Sequence, residues 1–434
     1  MTCRWAQFPD GKKGVLPTIL EEILAARKQT RQRLKTEKDE FMANILNQRQ
    51  LALKVTANSI YGQCGAKTST FYEKSIAAST TATGRMMIMY VKKMVETIYA
   101  DTDCQTKEYG MVHTRSEYVY GDTDSVFYTF NLEDPVTKQK IVGKKALKIT
   151  IELAQEFSKM CTMFLMSPME LCYEKTLTPF GLVSKKRYFG MLYEFKTELS
   201  DCYLKIMGLQ VKKRDSCDYF KDTYGGILNI FIGNGQTEEY IIREAVKKLQ
   251  FALQQLVDGE VPIDKLTITK SLRSDYANPK TIGHKVLADR VGERDPGNRP
   301  KPGDRISYAF IETANPKALV GDRIETPEFI ALNEKKIRID YAYYITNQLM
   351  NPLLQLFGLI LEKLWEYNAK TGLLKTFRKK MSDAYKACDG DLEIYNKIRE
   401  KETSTHIKQM LFDPFLVKIN NKRLRLQTIT SMFS

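Results

Sequence analysis

Apolar residues recur at helical spacing through the first part of the chain. Leucine and isoleucine return every three or four positions over residues 16–24, and Pro17 lies in the first turn, where a helix does not need its missing N–H. The charged stretch KTEKDE interrupts the pattern, and a second periodic segment runs over about 41–61 to Gly62. This pattern predicts two long helices in a hairpin, followed by a third helix over about 74–98.

Short runs rich in β-branched and aromatic residues begin near residue 110. Such runs are typical of strands, and one helical segment, about 143–167, separates them. Helical periodicity returns near residue 220 and continues through most of the C-terminal part. The stretch 292–305, rich in proline, glycine and charge, predicts a loop. Helical and strand-rich regions therefore follow one another without an internal repeat, which predicts the α+β class.

Length and charge narrow the choice of function. A chain of 434 residues buries a large core and is long enough for two or three domains. Apolar residues make up 43% and charged residues 27%, as in globular proteins. The formal net charge of +15 favours a polyanionic partner, most simply nucleic acid. A basic surface that serves solubility alone is the alternative.

Cysteine spacing and apolar run length argue against a zinc site and a membrane span. The 8 cysteines form no CxxC pair and the chain has 3 histidines, so a zinc site of the usual spacing is not expected. Scattered cysteines in so long a chain indicate free thiols in a reducing compartment. No secretory signal opens the sequence, and the longest apolar run, around Leu353–Leu361, is far shorter than a membrane span.

The strand-like stretch YVYGDTDSVFYTF at 118–130 carries two aspartates at its centre. Asp122 and Asp124 are two residues apart, so they point to one side of an extended backbone or straddle a tight turn. Close carboxylates repel unless a cation lies between them, and Mg²⁺ prefers such oxygen ligands. Paired Mg²⁺ ions about 3.5–4 Å apart activate a hydroxyl and stabilise a leaving pyrophosphate. An ordinary hairpin, in which Asp and Thr serve the turn, is the alternative.

The helical segment KVTANSIYG at 54–62 presents a cation, an amide and an aromatic ring. Lys54, Asn58 and Tyr61 are four and then three residues apart, which is the spacing of one helix face. A cation suits a phosphate, and an aromatic ring packs on a sugar or base. A solvated lysine and a tyrosine packed in the core are the alternative.

Both stretches resemble motifs of the family B DNA polymerases. YGDTDS resembles motif C, which implies that Asp124 is a principal metal ligand and that Asp122 has a lesser role at the metal site, both being catalytic. KVTANSIYG resembles motif B, KxxxNSxYG. That resemblance implies that Lys54 contacts the incoming triphosphate, and that Asn58 and Tyr61 line the nascent base pair on its minor-groove side.

Three further positions match the family next to these motifs. Within ARKQTR, Arg27 matches the fingers arginine that also grips the triphosphate, and Arg31 lies one turn further along. Within YEK, Glu174 matches the glutamate of the delta-type FEK sequence, which lies near the metal site. Cys172 stands where those enzymes have a second acidic residue, which leaves an additional metal site without that ligand.

Two basic stretches resemble segments that hold DNA. SKKRYFG resembles the KKRY motif, which contacts the primer–template backbone, although a basic exposed strand is the alternative. MGLQVKKRD resembles the G-x-x-x-x-R-R-D stretch at the boundary of palm and thumb. The resemblance implies DNA binding by Lys185, Lys186, Arg187, Tyr188, Lys212, Lys213 and Arg214.

The resemblance covers roughly residues 14–360, and this part of the chain is similar to the delta-type enzymes, as in large DNA viruses. It implies a right-hand polymerase architecture with a helical fingers hairpin, an incomplete antiparallel β palm and a mostly helical thumb. No zinc is expected, because the cysteine-rich zinc module of the delta-type enzymes is absent. The expected domains are the end of an N-terminal palm segment (1–14), the fingers (15–66), the palm with the YGDTDS hairpin (67–214), and the thumb with a C-terminal extension (215–434).

Motif A of the family, similar to DxxSLYPS, does not occur in the sequence, and neither do the exonuclease acids. The motif A aspartate bridges both metals in the family. We therefore expect two Mg²⁺ ions shared with an aspartate outside this chain, and little or no activity of the chain alone.

The resemblance implies a DNA-directed DNA polymerase, a nucleotidyltransferase that adds deoxynucleotides to a primer 3′-hydroxyl. The expected partners are primer–template DNA, deoxynucleoside triphosphates, a separately encoded N-terminal polymerase part and a sliding clamp, with no membrane. The expected location is intracellular, in the nucleus or at a viral replication site in the host cytoplasm. A non-catalytic DNA-binding remnant, or a subunit of a split polymerase, is the alternative. An RNA-templated palm enzyme is disfavoured, because such palms carry adjacent aspartates.

Overall fold

The computed structural model describes residues 8–194, 202–233, 236–315 and 317–424. The chain divides into two compact units at the junction of Glu174 and Lys175. Part of the predicted N-terminal palm segment, residues 1–7, lies outside the described residues. The junction falls inside the segment predicted as palm, and the division into fingers, palm and thumb stays a prediction.

The first unit combines long helices with two antiparallel hairpins. The predicted helical hairpin and the predicted third helix are confirmed, and β1 pairs with β2 while β3 pairs with β4. Its elements are α1 (Val15–Thr36), α2 (Glu40–Gly65), α3 (Lys74–Ile98), β1 (Thr102–Thr106), β2 (Gly110–Thr114), β3 (Glu117–Asp122), β4 (Ser125–Thr129) and α4 (Gly143–Met163).

Two helix ends differ from the prediction, and each has a local cause. Helix α2 continues past Gly62 to Gly65, and Cys64 in this additional turn is buried. Helix α4 ends at Met163 and not near 167. Phe164, the residue after the helix, has φ −102° and ψ 3°, outside the helical region, and Pro168 keeps the helix from resuming beyond it.

The core of the first unit lies between α3, α4 and the strands. Val91, Val95 and Tyr99 follow one another at intervals of four along α3, so they form one buried stripe. The ring of Tyr99 meets those of Phe130 and Phe157 edge to face, with centroids 5.1 and 5.8 Å apart. This aromatic cluster holds the β3–β4 hairpin against both helices.

Within its described residues, the second unit is mostly helical and contains two three-stranded antiparallel sheets, ordered β5-β6-β7 and β10-β9-β8. Its strands are β5 (Thr176–Ser184), β6 (Arg187–Tyr193), β7 (Tyr203–Met207), β8 (Ile268–Ser271), β9 (Arg305–Phe310) and β10 (Ile324–Glu325). Its helices are α5 (Asp218–Ile232), α6 (Glu238–Asp258), α7 (Ile263–Leu266), α8 (Gly283–Arg294), α9 (Pro327–Leu332), α10 (Tyr341–Tyr343), α11 (Asn351–Gly358), α12 (Leu361–Tyr367), α13 (Thr371–Ala387), α14 (Leu392–Ile407) and α15 (Asp413–Leu424).

In the described part of the second unit, two helices contain a π-helical segment just before a proline. Tyr344–Met350 joins α10 to α11 and precedes Pro352, and Lys408–Phe412 joins α14 to α15 and precedes Pro414. A proline inside a helix lacks the N–H donor, and its ring clashes with the carbonyl four residues earlier. The wider π turn accommodates both defects, so each helix continues through its proline. Among the described residues, no helix is both long and apolar enough to cross a membrane.

A buried carboxylate ties β10 to α8. Glu325 is 2% exposed and accepts hydrogen bonds from Arg290 at 3.2 Å and from Arg294 at 2.8 Å. Burial opposes ionisation, but hydrogen bonds from Arg294 and from the Thr326 N–H outweigh it and lower the pKa of Glu325. The ion pairs therefore stabilise the folded state above the ordinary glutamate pKa, and that stabilisation is lost as pH falls through the lowered pKa.

Replacing Glu325 with Gln should lower the free energy of unfolding at pH 7 by about 2–3 kcal/mol, less than for a fully buried pair because both arginines are partly solvated. The difference from wild type should narrow in acid, where the wild-type carboxylate is protonated. Urea unfolding at both pH values measures this. The matched control is Glu328→Gln, which removes an exposed carboxylate of α9. A loss equal to that of the control would contradict the assigned ion pairs.

Candidate functional site

The two aspartates of the YGDTDS stretch straddle the tip of the β3–β4 hairpin. Asp122 ends β3 and pairs with Ser125, which begins β4. Thr123 between them has a φ of +59°, and the N–H of Asp124 donates to the Asp122 carbonyl at 2.7 Å. This closes a three-residue turn of a rare and strained kind, about 1–3 kcal/mol above a relaxed backbone. The strain places the carboxylates on either side of one short turn.

One glycine lets neighbouring groups approach this tip closely, and a second lies in ordinary contact with it. A Cβ on Gly121 would come within 2.7 Å of the Tyr118 hydroxyl and 3.2 Å of the Ser125 carbonyl, so a larger residue does not fit without movement. On α3, Gly84 faces the tip, where a Cβ would lie 3.8 Å from the Thr123 carbonyl. The strained turn therefore rests directly on a helix that is anchored in the aromatic core.

The carboxylates of the tip have different surroundings. Asp122 is half-buried, and one of its carboxylate oxygens accepts a hydrogen bond from the Thr123 hydroxyl at 3.1 Å, while Asp124 is exposed. Oxygen ligands of this kind suit a hard divalent cation such as Mg²⁺. In the described parts of the chain, no three side chains of His, Cys, Asp or Glu gather in a way that could hold a metal ion. The donor set thus fits one side of a metal site.

The predicted third acid, Glu174, does not complete a three-acid site with Asp122 and Asp124 within the described residues. Glu174 is exposed and lies between α4 and β5. Partial burial and the Glu170 carboxylate raise the pKa of the Cys172 thiol. Mg²⁺ prefers oxygen ligands to sulfur, so a thiol at position 172 does not supply the ligand that a carboxylate would supply.

The three predicted nucleotide-binding residues on α2 are all exposed and share one face of the helix. Lys54, Asn58 and Tyr61 lie along α2 as their spacing predicts. The Tyr61 hydroxyl lies 3.0 Å from the Thr81 hydroxyl of α3, so the ring is tethered at its polar end. Thr81 was not singled out by any sequence motif.

Arg27 of α1 is directed toward this face of α2. Its Nε donates to the Gln50 side chain at 3.4 Å, and Gln50 lies one helical turn before Lys54. The helical hairpin therefore directs Arg27 to the face of α2 that carries Lys54, one turn from it. Arg31 is exposed one turn further along α1.

The basic turn between β5 and β6 is held in a second strained conformation. Ser184 pairs with Arg187, so Lys185 and Lys186 form a two-residue loop in which Lys186 has a φ of +64°. A Cβ on Gly208, itself at a φ of +65°, would overlap the Lys186 carbonyl. Only glycine fits there, and the loop presents two exposed lysines.

The other predicted DNA-binding residues differ in their exposure. Arg187 is partly buried and donates to the Gln355 side chain of α11 at 2.5 Å, and Tyr188 is also partly buried. Lys212, Lys213 and Arg214 are exposed and follow the buried Leu209. Gln355 carries no sequence signal, because it is one polar residue on an apolar helix 168 positions from Arg187.

Comparison with known proteins identifies the family of this chain. The model of DNA polymerase family B matches residues 4–360. A DNA polymerase of Pyramimonas orientalis virus is 38% identical over 100% of this chain and 37% of its own length. The DNA polymerase delta catalytic subunit of Caenorhabditis elegans is 36% identical over 81% of this chain and 30% of its own length. The chain thus spans about a third of the length of these relatives.

A solved structure supports the fold. The family B DNA polymerase of the hyperthermophilic archaeon Pyrobaculum calidifontis matches with a TM-score of 0.53 and 21% identity, over 81% of this chain and 41% of that one. Helical hairpin, small antiparallel sheets and helical C-terminal part agree with the predicted α+β class. The chain belongs to the family B DNA polymerases.

Proposed function

We propose that this chain forms the nucleotide-binding and duplex-binding part of a DNA-directed DNA polymerase. The observation that carries the proposal is the strained β3–β4 tip, where a turn of unfavourable geometry exposes Asp124 beside Asp122. Strained backbone is concentrated at functional sites, since a relaxed turn would serve a merely structural hairpin. The family match over 4–360 supports the same reading. In this proposal α1–α2 are the fingers, the β3–β4 hairpin belongs to the palm, and the C-terminal helices belong to the thumb.

The proposed reaction is attack of a primer 3′-hydroxyl on the α-phosphate of a deoxynucleoside triphosphate, with release of pyrophosphate. Asp122 and Asp124 would hold Mg²⁺, which when bound favours the ionised hydroxyl and offsets charge on the leaving pyrophosphate. Their placement on a rigid turn keeps both carboxylates oriented without reorganisation during the reaction. Glu174 remains a proposed neighbour of this site.

The face formed by α1 and α2 would hold the incoming nucleotide. Lys54 and Arg27 supply the positive charge that a triphosphate needs, and Gln50 orients Arg27. Asn58 and Tyr61 would meet the nascent base pair. The hydrogen bond between the Tyr61 and Thr81 hydroxyls restrains the ring at its polar end, which would help it to meet a base pair in one orientation.

Duplex DNA would be held by phosphate contacts in the second unit. Lys185 and Lys186 project from a turn that Gly208 holds in place, and the exposed residues Lys212–Arg214 follow shortly after it in the chain. Such contacts are independent of sequence and weaken steeply with salt. Partners would be primer–template DNA and nucleotides, with a separately encoded polymerase part and a sliding clamp, at a nuclear or viral replication site.

A non-catalytic DNA-binding protein is the second candidate. The observation that favours it is that the described residues gather two acids at the tip and not three. Duplex binding would then persist whatever stands at position 124, so the two candidates separate in an experiment on Asp124.

Replacing Asp124 with Asn should lower primer extension by about 10²–10³-fold, because a charge that acts on the reacting groups is lost. The assay contains the other polymerase segments found in the longer relatives. Duplex affinity, measured by fluorescence anisotropy, should stay unchanged. Glu108→Gln, which neutralises an exposed acid in the β1–β2 turn, is the matched control. Equal extension by both variants would favour the non-catalytic candidate.

The 434-residue chain by itself should bind duplex DNA yet extend a primer little or not at all. Two carboxylates are too few to hold two metal ions without a further acid that binds both ions. A gel-based extension assay with Mg²⁺ and labelled primer measures this. Robust extension by the purified chain would overturn the proposal that its metal site is shared with an acid from elsewhere.

Replacing Lys185 with Gln should reduce the slope of log affinity against log salt by about 0.9, since one phosphate contact is lost. The loss should be similar for duplexes of different sequence, because phosphates carry no base information. Lys335→Gln, an exposed lysine after α9, is the control. Equal slopes for the two variants would remove the β5–β6 turn from the proposed duplex surface.

A further inference from the structure

Three side chains of the second unit form a hydrogen-bonded chain that ends at the basic turn. Arg187, which opens β6, donates from Nη1 to Oε1 of Gln355 on α11 at 2.5 Å. The Nε2 of the same Gln355 donates to Oε1 of Glu400 on α14 at 3.0 Å. We call this chain the Arg187–Gln355–Glu400 relay.

The order of donors and acceptors in the relay follows from the charge of its end groups. An ionised carboxylate only accepts and a guanidinium only donates. Glu400 therefore requires the NH₂ group of Gln355, and the amide oxygen must then face Arg187. Without Glu400, the Arg187 guanidinium alone selects the amide oxygen, so Gln355 loses one of the two hydrogen bonds that hold it in place.

The parts of the relay are mounted on rigid elements. Helices α11 and α14 pack against each other at Gly358, where a Cβ would lie 3.4 Å from the Thr403 hydroxyl. At the other end, Gly208 packs on the Lys186 carbonyl and close to the Arg187 side chain. Helix α14 lies wholly beyond residue 360, where the match to the family model ends.

We propose that Glu400 is a positioning residue for duplex binding, acting through Gln355 on Arg187. The proposal rests on the proposed function, in which the β5–β6 turn meets the phosphate backbone. Arg187 keeps its full positive charge, because its partner in the relay is a neutral amide. The relay sets the direction of that charge, and it holds the first residue of β6, which directly follows Lys186 of the basic turn.

The direction of the change in duplex affinity when Glu400 is removed distinguishes this role from a general effect of net charge. Removing any acidic residue makes the chain more positive, which by itself strengthens binding to a polyanion. Removal of Glu400 should do the opposite, since Arg187 loses its orientation. Glu402 is the matched control, because it lies on the same helix and pairs with Lys380 at 2.8 Å, outside the relay.

The test measures the affinity of the 434-residue chain for a fluorescent primer–template duplex across a salt series. Glu400→Ala should bind about threefold to tenfold more weakly than wild type, the value of one hydrogen bond. Glu402→Ala should bind as well as wild type or slightly better. Glu400→Gln still offers an acceptor oxygen to Gln355, so its affinity should lie between those of wild type and Glu400→Ala.

A double-mutant cycle with Arg187→Ala completes the test. In the Arg187→Ala background, Glu400→Ala should cause no further loss of affinity and should change it only as Glu402→Ala does, because the relay no longer has an end to position. Additive losses, or Glu400→Ala binding as tightly as Glu402→Ala, would overturn the relay while leaving the proposed function intact. Wild type that fails to bind duplex would overturn both. Thermal unfolding of each variant identifies loss of folding, in which case Glu400→Gln and its Arg187 cycle decide.

Discussion

Repulsion between two neighbouring carboxylates is the constraint on which the site depends. The backbone keeps Asp122 and Asp124 close together. The turn around Thr123 is closed by a 2.7 Å hydrogen bond, and Thr123 has a positive φ. Such a turn persists only when its surroundings hold it. Gly121 lets the Tyr118 side chain and β4 lie close to the tip, helix α3 contacts the tip at Gly84, and the aromatic core anchors that helix.

In the second unit, too, a strained turn and a closely packed glycine hold the backbone that carries the charged residues. Its basic turn is also strained at one residue, Lys186, and a glycine that admits no side chain packs against it. The helices that carry Gln355 and Glu400 each pass through a proline by widening into a π turn. The backbone that carries the exposed lysines is therefore held in place, while their long side chains keep rotational freedom.

Local sequence patterns predicted which helices form better than they predicted where each helix ends. Helical spacing identified α1, α2 and α3, because the contacts that make a helix lie within four residues. The ends of α2 and α4 were wrong by three or four residues, since each depends on one burial or one proline nearby. The site followed the same rule: the face of Lys54, Asn58 and Tyr61 needs only the helix period, whereas the Thr81 tether needs a second helix.

The sequence by itself determined the chemistry on offer: a pair of carboxylates in a hairpin, a cation, amide and ring on one helix face, and a surplus of positive charge. It also carried the motifs by which the family is known. Only the tertiary structure decided that the two aspartates straddle a strained turn, that Arg187 is tied to a distant amide, and that Glu400 orients that amide. The reason is physical. Turn and helix preferences act within a few residues, whereas partners 168 positions apart meet only when the whole unit packs.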